Sequence, residues 1–297
     1  MSGMTLLRAT RPKFLLLALL CAALGIVLTG RQLPDMPGAQ LTLVVLGSVL
    51  AHAAVNLLNE YQDFRSGLDL LTQRTPFSGG SGALPENPEA APRVLVAFLV
   101  SIALVVLIGL YFLWLRGLPI VVLGAAGLLL VITYTDWITR SPWLCLLAPG
   151  LGFGPIMILG TQLALGGRSD TATVVVALVV MLLVSELLLI NQIPDIDADR
   201  RVGRRHLPIV LGERKAAWIV AILLLAAYLL LGSALWLGLL PMASGLAWLT
   251  FPAALWVSRC LPQVFDRPEQ LSQVLGINVA TLLATLALLG LGLWLGE

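Results

Sequence analysis

The chain has 297 residues, of which 59% are hydrophobic and 11% charged, with a mean hydropathy of +0.96 and a formal charge of +2. A soluble globule averages about 45–50% apolar and about 25% charged residues, so this composition would leave large apolar patches in water, while disorder requires the opposite balance. No basic stripe suited to a nucleic acid stands on a soluble face, and a polytopic membrane protein remains.

Apolar runs long enough to cross a bilayer as helices occur at about 14–30, 41–58, 94–115, 118–138, 143–165, 172–193, 216–240, 242–261 and 273–295. They predict an all-α, single-domain protein over residues 1–297 with about nine transmembrane helices. Arg8, Arg11 and Lys13 precede the first run in the manner of a signal peptide. The stretch continues to Thr29 without a small-x-small cleavage site, so it is expected to stay as a span. The fifth run carries Pro149, Gly150, Gly152, Gly154 and Pro155, which predicts a kink or break near its middle. The seventh and eighth runs meet at Pro241. With the N-terminus inside, fifteen of the 18 Lys and Arg residues fall on inside segments, leaving Arg31, Arg116 and Arg168 outside. That bias predicts an N-inside, C-outside arrangement. Cys21, Cys145 and Cys260 sit in or beside apolar runs without metal-ligand or CxxC spacing, and read as small buried hydrophobes.

Two long polar segments, about 59–93 and 194–215, fall on the predicted inside face. In the first, His52, Asn56, Asn59 and Asp63 recur at i, i+4, i+7 and i+11, one face of a helix that Gly67 ends, with Asp69 just beyond. Such a stripe on a membrane helix must face protein or water rather than lipid. His52 taken alone reads more simply as a helix–helix hydrogen bond. In the second, Asn191, Asp195 and Asp199 recur every four residues and share a helical face, whereas Asp197 and Glu186 point elsewhere. The basic cluster from Arg200 to Lys215 serves topology and anionic lipid contact, with Arg200 and Arg204, one turn apart, the exceptions. Residues 74–85 form a Gly/Ser loop that suits either an anion cradle of backbone N–H groups or a flexible connection. Tyr134, Thr135, Asp136 and Arg140 close the fourth run, where Tyr134 reads equally as a substrate contact or an interfacial anchor.

Carboxylates and amide oxygens from two helices, gathered on one side of the membrane, suit Mg²⁺, which keeps open positions for phosphate oxygens. Nearby arginines suit bidentate phosphate contacts. Set beside an apolar interior, they point to a diphosphate carried on an apolar tail, with the metal stabilising the departing diphosphate. An ion-coupled carrier is a rival of another class, because intramembrane carboxylates also mark ion paths. A carrier would place them near the bilayer midplane, and here they cluster to one side.

At these residues the chain resembles the UbiA-type superfamily of intramembrane aromatic prenyltransferases. Of the family's first motif, N-D-x-x-D-x-x-x-D, Asn59, Glu60 and Asp63 are present, with Glu60 in place of Asp and the third carboxylate, Asp69, two positions late. The second motif, D-x-x-x-D, is matched by Asp195 and Asp199, followed by Arg200 and Gly203. The late Asp69, the Asn191-to-Arg205 stretch and residues 154–161 are most similar to the 1,4-dihydroxy-2-naphthoate polyprenyltransferase branch. The resemblance implies a helical bundle around a central cavity open laterally to lipid, with Mg²⁺ at the two motifs holding a polyprenyl diphosphate. Ionisation of that diphosphate would give an allylic cation that alkylates an aromatic acceptor. It implies metal binding, direct or through water, by Asn59, Asp63, Asp195 and Asp199, with Asp69 a further candidate. Arg74, Arg140, Arg200 and Arg204 would contact the diphosphate, and Asn56, Asn191 and Tyr134 would position substrate. Menaquinone biosynthesis in a cell inner membrane, with the site facing the cytoplasm, is the expected setting. 4-Hydroxybenzoate prenylation for ubiquinone and a lipid-forming reaction without an aromatic acceptor are the alternatives within the superfamily.

Overall fold

The computed structural model describes residues 2–72 and 74–296, and within them the regular structure is entirely helical. Seven helices are long and apolar enough to cross a membrane: Pro12–Gly30, Gly38–Arg65, Pro88–Arg116, Pro142–Leu165, Thr171–Asn191, Glu213–Trp236 and Pro268–Leu295. They coincide with seven of the nine predicted spans. The other two segments are also helical but shorter or irregular. Pro119–Thr133 has 15 residues, and the 242–261 run is a 3₁₀ stretch, Met242–Thr250, leading into the helix Phe251–Cys260. Proline explains several starts: Pro12, Pro119, Pro142 and Pro268 sit in the first helical turn, where a missing N–H costs nothing. Asp170 caps the Thr171–Asn191 helix by accepting from the Thr173 N–H at 2.8 Å.

The expected irregularity in the fifth run appears as a π-helical turn over Gly152–Leu159, with Pro149 one turn upstream and Pro155 inside it. Each proline removes an intrahelical donor, and the wider turn takes up the mismatch. The small residues also permit a close helix approach. A Cβ at Gly154 would stand 2.3 Å from the Ala177 carbonyl oxygen, and one at Gly150 2.4 Å from that of Met181. This brings Pro142–Leu165 against Thr171–Asn191, the most enclosed of the seven long helices, whereas Pro88–Arg116 is the most exposed. The main core gathers Leu183, Ile190, Tyr228, Leu275 and Leu286 from the C-terminal helices together with Leu24 from the N-terminal one. The outer faces carry Trp114, Trp137, Trp218 and Trp236, all exposed, as expected of surfaces and edges bathed in lipid.

Candidate active site

The helix Gly38–Arg65 brings His52, Asn56, Asn59 and Asp63 onto one wall of a cavity of about 490 Å³. The 3.6-residue period does this directly. Gly67, at φ 79°, ends the helix and turns Asp69 back toward the same space. The opposite wall comes from the end of Thr171–Asn191, where the chain departs from the sequence reading. The helix does not run on through Asp199. It stops at Asn191, turns at Gln192–Asp195, and restarts at Ile196–Arg201. Pro194 is the cause, since it disfavours helical backbone at Ile193 and lacks an N–H. Asn191, Asp195 and Asp199 nonetheless line the cavity, while Asp197 faces solvent with its side chain 88% exposed. Glu186 is wholly buried away from the cavity.

Arg204 joins the two walls. Its guanidinium donates to Asp199 Oδ1 at 2.9 Å and forms a second ion pair with Asp63. Burial alone would lower its pKa, but the charges of Asp63 and Asp199 outweigh that and hold it fully protonated. His206 Nε2 lies 2.7 Å from Asp199 Oδ2, so both oxygens of this carboxylate are engaged. Thr135 hydrogen-bonds Asn59 Oδ1, and Asn56 Nδ2 donates to the Thr10 carbonyl at 2.9 Å. Tyr134 lines the cavity beside Cys145, whose Sγ accepts from Gln192 Nε2 at 3.1 Å. Deeper in, the His52 ring meets Phe153 edge-on at 4.8 Å between centroids.

The Gly/Ser loop closes the polar end. The Gly79 N–H donates to Asp195 Oδ2 at 3.2 Å, and Ser81 donates from N–H and Oγ to the two oxygens of Glu60 at 3.1 and 2.6 Å. Gly79 and Gly80 take φ values of 80° and 78°, a conformation in which side chains are disfavoured. Arg11 is also in the left-handed region, at φ 50° and ψ 64°, the only such non-glycine among the described residues. A non-glycine side chain held there marks a constrained site. Its guanidinium lines the cavity 3.5 Å from Glu60.

Three predicted phosphate contacts lie off this cavity. Arg74 pairs with Glu86 at 2.9 Å on the surface, where Arg8 also holds Glu86 at 2.6 Å. The two arginines bring the Glu86 carboxyl down to about 2. Arg200 is exposed and meets Asp197 at 3.6 Å, because the short helix ends at Arg201 and the turn at Gly203 sends Arg204 inward instead. Arg140 is exposed beside Asp136 and Trp137. Arg11, His206 and Ser81 were not singled out by sequence. Arg11 reads from sequence as part of the positive-inside pattern, Ser81 lies within the Gly/Ser loop but its Glu60 partner is 21 residues away, and His206 meets Asp199 across a seven-residue turn.

The donor set suits a hard divalent cation. Asp69 Oδ2, Asp195 Oδ1 and Asn191 Oδ1 are buried without a hydrogen-bond partner, which is costly unless a cation or donor arrives. Burial, then the charges of Glu60 and Asp63, push Asp69 up to about 7; burial, then Asp199, does the same for Asp195. Among the described residues no three acidic, His or Cys side chains converge in ligating geometry. Arg204 takes the position between Asp63 and Asp199. Beyond this polar end, leucine, isoleucine, valine and phenylalanine side chains dominate the walls.

The UbiA prenyltransferase family matches residues 18–275. The 1,4-dihydroxy-2-naphthoate octaprenyltransferase of Bacillus subtilis (strain 168) is 27% identical over 231 residues, 76% of this chain and 72% of that protein. A digeranylgeranylglyceryl phosphate synthase of Natronomonas pharaonis is 27% identical over 191 residues, 61% of this chain and 60% of that protein. In three dimensions the chain resembles a UbiA homolog from Archaeoglobus fulgidus bound to GPP and Mg²⁺, with a TM-score of 0.69, 15% identity, and coverage of 96% of this chain and 99% of that one. It also resembles an apo UbiA homolog from Aeropyrum pernix K1, with a TM-score of 0.63, 22% identity, and coverage of 94% and 96%. With a helical membrane fold, two acidic motifs capping an apolar cavity, and a family match over most of its length, the chain belongs to the UbiA prenyltransferase family and is a prenyltransferase.

Proposed function

We propose that the protein transfers a polyprenyl group from its diphosphate to 1,4-dihydroxy-2-naphthoate, the aromatic prenylation of menaquinone biosynthesis. The observation that carries this reading is one cavity with carboxylates, amides and arginines at one part of its wall and apolar side chains over the rest. Such a cavity takes a diphosphate at one end and its hydrocarbon tail at the other. The acceptor assignment draws on the Bacillus subtilis relative and on the late Asp69 of the first motif.

In this reading Asn59, Asp63, Asp69, Asp195 and Asp199 hold Mg²⁺ directly or through water. Bound Mg²⁺ supplies positive charge that stabilises the departing diphosphate. Arg204 and Arg11 contact phosphate oxygens, and the Gly79–Gly80 turn, held to Asp195 through the Gly79 N–H, lies beside the same group. Asn56, Asn191 and Tyr134 position the substrates. The allylic C–O bond breaks with its electron pair leaving on the diphosphate, and the acceptor ring carbon forms the new C–C bond. With the naphthoate, the carboxylate leaves the alkylated carbon as CO₂, and the electron pair of the broken C–C bond returns to the ring and restores its aromaticity. Aromatic side chains along the cavity, Phe77, Phe153 and Tyr134 among them, offer π faces to an allylic cation, and the apolar walls keep water from it. The two shorter helical segments also cross the bilayer in this account, giving nine spans, N-inside and C-outside, with the acidic cap at the cytoplasmic face of a cell inner membrane.

The test is an in-membrane assay with labelled polyprenyl diphosphate, Mg²⁺ and either 1,4-dihydroxy-2-naphthoate or 4-hydroxybenzoate. Prenylated naphthoquinol supports the assignment. Product with hydroxybenzoate alone keeps the chemistry and overturns the acceptor.

A further inference from the structure

Glu60 occupies the first motif position where the family form has aspartate, yet it does not line the cavity. It is 0% exposed, and its two oxygens are taken by one residue of the facing loop: Ser81 N–H to Oε2 at 3.1 Å and Ser81 Oγ to Oε1 at 2.6 Å. Oε2 also lies 3.5 Å from Arg11 Nη2. Two residues earlier, the same loop is fastened to the second motif by the Gly79 N–H on Asp195. The Ser81 hydroxyl, having donated to Glu60, accepts the Ala83 N–H at 3.0 Å and starts the next helical turn. The loop is therefore strapped across both acidic motifs, with Glu60 anchoring one end.

We propose that Glu60 is a positioning residue that clasps the Gly79–Gly82 loop over the diphosphate site and orients Arg11, rather than a ligand of the metal. The extra methylene of glutamate, relative to aspartate, is what reaches Ser81. Charge-assisted hydrogen bonds of this kind are among the stronger polar contacts, and in a buried setting they fix geometry as well as energy. The proposal rests on the diphosphate reading above for what the loop covers, but not for the clasp itself.

Loop exchange and metal affinity test it without turnover. Amide hydrogen exchange across residues 78–84 and a titration with Mg²⁺ alone would be measured on the full chain in lipid nanodiscs, for wild type, Glu60→Asp, Glu60→Gln and Ser81→Ala. A clasp depends on length, so Glu60→Asp and Ser81→Ala exchange about tenfold faster in the loop, while Glu60→Gln, which keeps the reach and one acceptor, loses less. The Mg²⁺ affinity of all three variants stays within about twofold of wild type, and the KM for polyprenyl diphosphate rises more than kcat falls. A metal ligand depends on charge and gives the reverse order: Glu60→Gln loses Mg²⁺ affinity about tenfold and Glu60→Asp keeps it. That order overturns the proposal, as does unchanged loop exchange in Ser81→Ala, a conservative variant that serves should Glu60→Asp fail to fold. Failure of the wild-type protein to transfer a prenyl group would instead strike the reading of function and leave the exchange result standing.

Discussion

Arg204 and Asp63 lie 141 residues apart in sequence and form an ion pair in the middle of the polar cap, with side chains only 18% and 12% exposed. Because Arg204 also holds Asp199, one guanidinium ties the two acidic motifs together. Removing it leaves two buried carboxylates facing each other, a situation that costs about 3–5 kcal/mol when a buried pair is broken. Arg204→Ala is therefore expected to lower the unfolding temperature markedly and to abolish turnover. Millimolar Mg²⁺ should restore part of the stability, because a cation can take the vacated charge. Arg204→Lys keeps the charge but not the two-pronged reach, and should retain stability better than activity. Thermal unfolding with and without Mg²⁺ measures both; an alanine variant as stable as wild type would contradict the clamp.

The turn at Gly80 makes a second, local prediction. With φ at 78°, a Cβ there would also stand 2.7 Å from Asp69 Oδ1. Gly80→Ala combines a left-handed backbone cost of about 1–2 kcal/mol with a clash against a candidate metal ligand. The variant should fold, since the loop is peripheral to the core, and raise the KM for polyprenyl diphosphate by about tenfold or more. Steady-state kinetics against diphosphate concentration checks this.

The pH dependence of metal binding follows from Asp69 and Asp195, both raised to about 7 by burial and by neighbouring carboxylates. Mg²⁺ takes the ionised form, so binding must displace any proton present. Well above pH 7, by about pH 8, both carboxylates are ionised and affinity levels off. Below pH 7, affinity should fall by about tenfold per pH unit for each of the two that ligates the metal. Mg²⁺ titrations from pH 8 to pH 5.5 provide the measurement, and an affinity independent of pH across that window would remove both residues from the metal site.

The sequence made the two walls of the site legible for different reasons. His52, Asn56, Asn59 and Asp63 belong to one uninterrupted helix, so their period alone places them together. Asn191, Asp195 and Asp199 reach the cavity despite a broken helix, because the turn forced by Pro194 substitutes for the missing rotation. The end of the short helix at Arg201 and the turn at Gly203 separate Arg200 from Arg204, which periodicity puts on one face. Long-range partners carry no local signal: Ser81 on Glu60 and Arg11 beside it arise only once the helices have assembled, whereas His206, seven residues from Asp199, meets it across the local turn at Gly203. Hydropathy located all the apolar runs, but it could not say that 118–138 and 242–261 would form shorter or irregular helices, since proline and 3₁₀ geometry change length without changing composition.

The most direct test of the central claim, that both acidic motifs hold the diphosphate substrate for transfer, uses two single variants. Asp63→Ala and Asp195→Ala would each be assayed in membranes for prenyl transfer, with insertion checked by quantifying the full-length protein in the membrane fraction. Normal insertion is expected in each, with activity falling by about a hundredfold or more, the scale seen when an electrostatic contact to a developing charge is removed. Full activity in both variants would contradict the claim.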